Sequence, residues 1–226
     1  MPSPAFAGSL TVAPTTIDLK SNRDIGVLHL SNESGAPVVA QLEAFDWTQE
    51  NGADKLTPTT SLIVSPPMAK MTPGADQIVR LQAADAGGPS ERTFRLLVTQ
   101  LPDPAAPKVQ GVNLLLQFSV PVFVHVETRE EKANVNFRAG VRGSGLWLSV
   151  LNAGHAHLKL TRIDLSVGDA RGKHVSTSGL FYLLAGAERT WTFSGAPIAN
   201  GEPIHIEAYD ASGGPPIVAD IVAHNG

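Results

Sequence analysis

Residues 112–124 have the sequence VNLLLQFSVPVFV, and this stretch indicates the fold class of the whole chain. Side chains alternate between two faces along a β-strand, so every second residue shares a face. One face of this segment is apolar at every position, because it carries Val112, Leu114, Leu116, Phe118, Val120, Val122 and Val124. The segment is also longer than the usual strand of about 5–6 residues. It therefore predicts one long β-strand with a continuous hydrophobic face.

The residues before this strand repeat the same alternation in shorter runs. The 17 prolines and 21 glycines divide the chain, and the separators carry turn-forming pairs such as Asn51-Gly52 and Pro73-Gly74. Together with the long strand, the runs predict strands at 10–19, 26–31, 38–47, 62–65, 77–81, 93–101 and 112–124. Seven short strands are typical of an immunoglobulin-like β-sandwich.

A charged segment without an apolar face, residues 127–133, separates this set from a second one. Beyond it, strands are predicted at 135–138, 145–152, 157–167, 179–184, 188–193, 203–209 and 217–223. The sequence thus predicts an all-β chain of two tandem immunoglobulin-like domains. The first spans 1–126 and carries the long strand, and the second spans 127–226.

Composition excludes several classes of function. The formal net charge is −4 and no long basic run occurs, so we expect neither nucleic-acid binding nor a polybasic membrane patch. No apolar run reaches the ~18–20 residues that a membrane-spanning helix needs, so no membrane insertion is expected. The chain has no cysteine, which excludes disulfides, thiolate nucleophiles and cysteine-type zinc sites.

The N-terminus favours an exported protein. Ala5-Phe6-Ala7, followed by Gly8-Ser9, is typical of the small-x-small end of a signal peptide at its cleavage point. An ordinary disordered start is the alternative.

The long strand has two interpretations. It is either a central core strand or an edge strand whose apolar face serves to pair with another chain. Pro121 cannot donate a backbone hydrogen bond, so it belongs at an edge, a bulge or the end of the strand. An exposed apolar edge is an aggregation hazard that a protein keeps when strand pairing is its purpose.

The order of motifs along the chain resembles the periplasmic pilus chaperones of the chaperone–usher pathway. In the first half the motifs are SLTVAPTTIDL at 9–19, LHLSN at 28–32, ERTFRLLVTQLP at 91–102 and VPVFV at 120–124. In the second half they are LWLSVLNAG at 146–154 and YLLAGAERTW at 182–191. The Pro in the long strand and the Phe-Arg pair on the preceding one are more similar to the archaic branch of that pathway.

The resemblance implies a fold and a function. Two immunoglobulin-like domains would form an L, or boomerang. The last strand of domain one would complete a pilin subunit that lacks a strand, and the chaperone would deliver that subunit to an outer-membrane usher. The residues that would enter the subunit are Val112, Leu114, Leu116, Phe118 and Val120. The Pro-rich stretch at 102–107 would order on binding, and a free chaperone would cover the same strand by self-association.

The chain departs from the best-known branch at the anchor for the C-terminal carboxylate of the pilin. That branch uses an Arg on the first strand and a Lys on the donor strand, and the matching positions here are Thr16 and Pro121. Arg95 is the first replacement candidate, because its neighbours Phe94 and Leu96 suit the core and Arg95 should then face the other way. A guanidinium can bind a carboxylate bidentately. Lys108 is the second candidate, and a solvated Arg95 without this role is the alternative.

The family also has a polar network across the domain hinge. Its matching positions are Glu91, His125 and Asp210, with His in place of the usual Arg, so an ion pair there requires a protonated imidazole. Three unrelated surface groups are the alternative.

No motif for catalysis or for a cofactor is present, and no enzyme activity is expected. His155 and His157 share one side of a predicted strand, yet a metal site needs further ligands, and none is expected. A structural or adhesive pilus protein is the main rival, although residues 1–9 lack the alternating apolar extension that a pilin carries. A β-sandwich glycosidase would need paired carboxylates that the sequence does not offer.

Overall fold

The computed structural model describes residues 10–84, 88–102, 115–125, 134–143, 145–168, 173–194 and 198–225. All regular secondary structure in these ranges is β, which confirms the predicted fold class. The strands are β1 (Leu10–Ala13), β2 (Ile17–Leu19), β3 (Gly26–Asn32), β4 (Val38–Glu50), β5 (Ala53–Pro58), β6 (Leu62–Ser65), β7 (Met68–Met71), β8 (Asp76–Ala83), β9 (Arg92–Leu101), β10 (Gln117–Val124), β11 (Val135–Arg142), β12 (Gly145–Asn152), β13 (Leu158–Val167), β14 (Lys173–Leu183), β15 (Glu188–Phe193), β16 (Pro203–Asp210), β17 (Ile217–Val222) and β18 (His224–Asn225).

The chain divides into two compact units. One consists of Met1–Trp47 with Leu56–Thr128, and the other of Thr48–Lys55 with Arg129–Gly226. The tip of the β4–β5 hairpin is therefore grouped with the second unit. The boundary between 126 and 127 stays a prediction.

The first unit is a sandwich of two sheets. One sheet has the order β1-β3-β8-β6, and the other has the order β2-β10-β9-β4-β5 with β7 paired to β4. The chain changes sheet early, because β1 pairs antiparallel with β3 whereas β2 pairs parallel with β10. Inward-facing residues of both sheets form the core, and its most deeply buried members are Leu28, Leu30, Ala40, Val79, Leu81, Phe94, Leu96, Val98 and Val122.

The second unit is also a two-sheet sandwich. Its sheets have the orders β15-β12-β11-β18 and β14-β13-β16-β17, and β13 carries an irregularity between Leu160 and Arg162. Alternation again separates buried from exposed positions, as in β16, where Ile204, Ile206 and Ala208 are buried.

One buried turn recurs in both units. The amide of Asn32 donates to the carbonyls of Ala36 and Met71, and that of Asn152 donates to those of Ala156 and Leu183. Both asparagines are almost fully buried, at 1% and 0% exposure. In each unit the side chain satisfies backbone carbonyls that lie away from water, because orphaned buried carbonyls destabilise a fold.

The strand predictions differ from the structure at a few places. The strand predicted at 10–19 is two strands, and β14 begins at Lys173 rather than at 179. Of the strand predicted at 112–124, the described residues 115 and 116 lie before β10, which begins at Gln117. The strands β5, β7 and β18 were not predicted. All six residues of β5 are exposed, so no apolar alternation marks it. Its hairpin does carry the expected Asn51-Gly52 turn, whose φ values of 53° and 76° are those of a tight hairpin turn.

Candidate functional site

The sequence left open whether the long strand is a central core strand or an edge strand. The pairing of β10 in its sheet shows that each description applies to a part of it. The strand β9 pairs with β10 from Gln117 to Val124, whereas β2 pairs with it only from Val122 to Val124. Within the described residues, positions 117–121 of β10 thus have a strand partner on one side and none on the other. We call this side of residues 117–121 the open edge. Of its residues, Gln117 and Ser119 are exposed and Phe118 is half-buried, so a further strand can pair with the backbone there.

The apolar face of β10 continues past the core of the first unit. Val120, Val122 and Val124 are buried members of that core, whereas Leu116 and Phe118 are only partly buried and pack against it. The same face therefore serves the protein's own fold at one end and is incompletely covered at the other. On the opposite face, Gln117 is exposed and donates from Nε2 to Thr99 Oγ1 at 2.9 Å.

Several residues of the predicted site lie outside the described part of the chain. These are the donor residues Val112 and Leu114, the second anchor candidate Lys108, and positions 103–107 of the Pro-rich stretch. The remaining donor residues, Leu116, Phe118 and Val120, all lie on the face described above.

Pro121 is the last residue of the open edge. It is buried, it faces Arg95 in the β9–β10 ladder, and β2 begins to pair one residue later. A residue without an N–H fits this position, because no described strand adjoins its free side.

Arg95 faces away from the core of the first unit, as its neighbours predicted. Phe94 and Leu96 are fully buried in that core, whereas Arg95 places its guanidinium carbon 3.7 Å from the ring centroid of Trp47. Trp47 in turn packs against Phe123 of β10, with ring centroids 6.0 Å apart. Stacking on a buried ring restricts a guanidinium to few orientations. Arg95 is thus held in place at the base of β10.

Two of the three predicted hinge residues meet in the structure. The imidazole of His125 places Nδ1 3.2 Å from Oε1 of Glu91, whose side chain is only 1% exposed. Its Nε2 lies 3.6 Å from Oδ1 of Asp18, next to the β2–β10 pairing. Asp210, the third predicted member, accepts a local hydrogen bond from the backbone N–H of Ser212 at 2.7 Å.

The described residues also bear on two further features that the sequence raised, a metal site at His155 and His157 and a membrane-spanning helix. His155 and His157 precede β13 rather than lying on a strand, and the ring of His157 packs 5.9 Å from that of Tyr182. Among the residues that the structure describes, no three His, Cys, Asp or Glu side chains are grouped to hold a metal ion. The same residues form no helix that is long and apolar enough to cross a membrane.

Sequence reasoning missed two residues at this site. Asp18 approaches His125 because β2 pairs parallel with β10, and a long-range parallel pairing leaves no local sequence pattern. Trp47 ends the predicted strand 38–47 and supports Arg95 from there.

Comparison with known families gives one match over the first unit. Residues 9–127 match the model of the family described as pili and flagellar-assembly chaperones, PapD N-terminal domain. Among curated proteins no match is found.

Solved structures share the fold over nearly the whole chain. A complex of the chaperone CsuC with the tip adhesion subunit CsuE, from archaic chaperone–usher Csu pili of Acinetobacter baumannii, matches with a TM-score of 0.72 at 17% identity, covering 94% of this chain and 98% of that one. The SafA pilin–SafB chaperone complex of Salmonella enterica gives 0.61 at 19% identity, with 95% and 96% covered. The E. coli chaperone DraB gives 0.62 at 17% identity, with 95% and 98% covered.

Proposed function

Because this chain belongs to the family of pilus- and flagellar-assembly chaperones, we propose that it captures pilin subunits by donating β10 as their missing strand. Membership confirms the resemblance inferred from the sequence, and a structural or adhesive pilus protein is not favoured. Donation of a strand to a pilin is a general property of such chaperones, whereas the assignment of residues in this chain is ours.

The open edge of β10 is the observation that carries this proposal. Strand addition needs unpaired backbone groups together with side chains that fit pockets of the partner. Residues 117–121 supply the backbone groups, and Leu116 and Phe118 supply the apolar side chains. Val112 and Leu114 would extend the same face, since they follow the same alternation.

The energetics favour capture with broad tolerance of subunit sequence. Full burial of one such side chain contributes about 1.5–3 kcal/mol, and Leu116 and Phe118 gain less because they are already partly buried. Each backbone hydrogen bond formed along the edge contributes about 1 kcal/mol. Association and ordering oppose these gains. Backbone pairing makes no use of the partner's side chains, so one chaperone can bind subunits that differ in sequence.

Arg95 is our candidate for the anchor of the subunit's C-terminal carboxylate. Arg95 is the ladder partner of Pro121 in the donor strand, and its guanidinium stacks on Trp47. A guanidinium held in this way loses little entropy when it binds a carboxylate. Lys108 remains the second candidate. Glu91, His125 and Asp210 remain the candidates for the hinge network, to which we add Asp18.

The partners and location follow from the same proposal. The chain would work in the periplasm after removal of a signal peptide, would hand its subunit to an outer-membrane usher, and would self-associate through β10 when free. The match to a chaperone of archaic chaperone–usher pili supports the archaic branch.

A single substitution on the donor face tests the proposal. Leu116→Glu should abolish capture of a co-expressed pilin subunit, because the subunit's groove would have to bury a carboxylate without a partner. The measurement is the periplasmic level of the subunit and its co-purification with the chaperone. Leu115→Glu is the matched control, since Leu115 is 44% exposed and its neighbour packs against the core.

Both variants should keep the melting temperature of the wild type within a few degrees. Equal capture by Leu116→Glu and the wild type would show that β10 is not the donor strand.

A second substitution tests the anchor. Arg95→Ala should weaken capture about 10- to 100-fold, the range for one charge-assisted hydrogen-bonding interaction. Removing the terminal carboxylate of the subunit by amidation should weaken binding to the wild type but not to Arg95→Ala. Arg80→Ala is the control, because Arg80 is an exposed residue of β8. If amidation affected the wild type and Arg95→Ala equally, the anchor would be elsewhere.

A further inference from the structure

We infer that the short strand β2 is a stop that fixes where the strand of the captured subunit must end. This inference rests on the proposed function of β10 and concerns the length of subunit strand that fits beside it. The strand β9 occupies one side of β10 from Gln117 to Val124, so an added strand must take the other side. On that side β2 begins to pair at Val122. A subunit strand that follows the open edge therefore meets β2 at Val122.

The hydrogen bonds of β10 show which of its backbone groups face the open edge. The N–H of Gln100 in β9 donates to the carbonyl of Leu116 at 2.8 Å. Successive residues of a strand direct their backbone groups to opposite sides, so the even-numbered residues of β10 bond to β9. Gln117 and Ser119 then direct their N–H and C=O groups towards the open edge. These are the groups that a subunit strand can pair with.

Two features end this row of groups at residue 121. Pro121 has no N–H, so the last donor of the open edge is that of Ser119. Beyond Pro121 the row belongs to β2, since the N–H of His125 donates to the carbonyl of Leu19 at 2.8 Å. A subunit strand can gain no further backbone hydrogen bond past Pro121 unless it displaces β2.

The strand β2 is firmly held although it has only three residues. Ile17 and Leu19 are almost fully buried in the core of the first unit, so displacing β2 would expose both side chains to water. Gly26 of β3 allows the close approach of β2, because a Cβ atom on Gly26 would lie 2.9 Å from Cγ2 of Ile17. This packing makes β2 an obstacle that a subunit strand does not replace.

The C-terminus is the end of the subunit strand that fits beside the stop. Arg95 is the ladder partner of Pro121, and its positive charge favours a carboxylate over an amine. A subunit chain that continued past this point would have to leave the sheet, and its carboxylate would move away from Arg95. The stop therefore selects subunits whose last strand ends beside Pro121.

Lengthening the subunit tests the stop. Gly-Ser-Gly-Ser added after the last residue of a co-expressed pilin subunit should weaken its binding to the chaperone by about 10-fold or more, because at least one backbone hydrogen bond is lost where the chain leaves the sheet. The same residues at the N-terminus of the subunit should have no effect. Co-expression of the longer subunit with the subunit of natural length gives the measurement, as the ratio of the two that co-purify with the chaperone.

The variant Arg95→Ala distinguishes the stop from the carboxylate anchor. An anchor alone also predicts weaker binding of the longer subunit, because its carboxylate is displaced. Without Arg95, the longer subunit should still bind more weakly than the subunit of natural length, by about 3-fold or more. Equal binding of the two subunits to Arg95→Ala would assign the whole loss to the anchor and overturn the inference.

Loosening β2 should make the chaperone more tolerant of the longer subunit. Ile17→Ala removes packing that holds β2 and should reduce the loss of binding by about 3-fold or more. Leu10→Ala is the matched control, because Leu10 is similarly buried in the same core but lies on β1, which pairs with β3. It should lower the melting temperature by a similar amount and leave the loss of binding unchanged. Equal effects of Ile17→Ala and Leu10→Ala on the longer subunit would contradict the role of β2.

Hydrogen exchange of the His125 amide reports on the stop directly. In the complex with the subunit of natural length this amide should stay protected, because β2 remains paired with β10. Loss of that protection, or binding of the longer subunit with unchanged strength, would overturn the inference.

The Leu116→Glu variant separates this inference from the proposed function. If Leu116→Glu abolishes binding and the longer subunit binds the wild type normally, donation by β10 stands and the stop is wrong. If Leu116→Glu binds the subunit as well as the wild type does, both are wrong.

Discussion

Residues 115–124, which are β10 and the two residues before it, form two halves that share one apolar face and differ in environment. Residues 120–124, which we call the closed half, are all buried, and β9 and β2 flank the last three of them. Residues 115–119, which we call the open half, are exposed or half-buried and adjoin only β9 within the described chain. Leucine and phenylalanine in the open half are no less apolar than the valines of the closed half. Pairing therefore decides which half is core.

The short strand β2 sets the border between the halves. It has three residues, and its pairing with β10 begins at Val122. Pro121 lies just before that point and lacks the N–H that continued pairing on this side would use. One continuous apolar face is thereby divided into a part that stabilises the chaperone and a part that remains available to a partner.

The largest effect is expected in the closed half. Phe123→Ala should lower the free energy of unfolding of the first unit by about 3–5 kcal/mol, because Phe123 is fully buried and packs on Trp47. Denaturant unfolding followed by tryptophan fluorescence measures this. Ser119→Ala, in the open half, should change it by less than about 0.5 kcal/mol. Similar decreases in the free energy of unfolding for Phe123→Ala and Ser119→Ala would contradict the distinction between the halves.

The sequence predicted the face of each β10 residue but not the border between the halves. Alternation placed Leu116, Phe118 and Val120 on one side, and the structure has them there. The position where Leu116 and Phe118 emerge from the core depends on where β2 ends. That pairing joins segments about 100 residues apart, and a local pattern carries no information about it.

A smaller effect is expected at the end of the closed half. His125→Ala should destabilise the first unit by about 1–3 kcal/mol, because the buried carboxylate of Glu91 would lose the imidazole that lies 3.2 Å away. Asp18→Asn should cost less than about 1 kcal/mol, since the Asp18 side chain is 57% exposed. Thermal unfolding of the two variants measures the difference. Equal losses would mean that burial of Glu91 does not set the strength of this cluster.

The polar residues of the site were predictable to different degrees. The direction of Arg95 followed from Phe94 and Leu96, which fix the orientation of β9, while its role as an anchor stays a prediction. The resemblance grouped Glu91 with His125, and the two side chains do meet. Asp18 was missed, and the approach of Arg95 to its aromatic neighbour was not anticipated, because both depend on neighbours in space that come from other strands.

The smallest effect on stability is expected in the second unit, at Glu188 of β15. Hydrogen bonds from Ser149 and then Arg138 hold the pKa of Glu188 below its usual value. A lowered folded-state pKa adds stability above the unfolded pKa of about 4.5, and that stability is lost as pH falls through the folded pKa. Glu188→Gln should therefore reduce stability at pH 7 by less than about 1 kcal/mol, since the side chain is 40% exposed, and the difference should shrink below pH 4.5. Ser149→Ala should reproduce part of this change. If the difference in stability between Glu188→Gln and the wild type were the same at pH 7 and at pH 3, the lowered pKa of Glu188 would not contribute to stability.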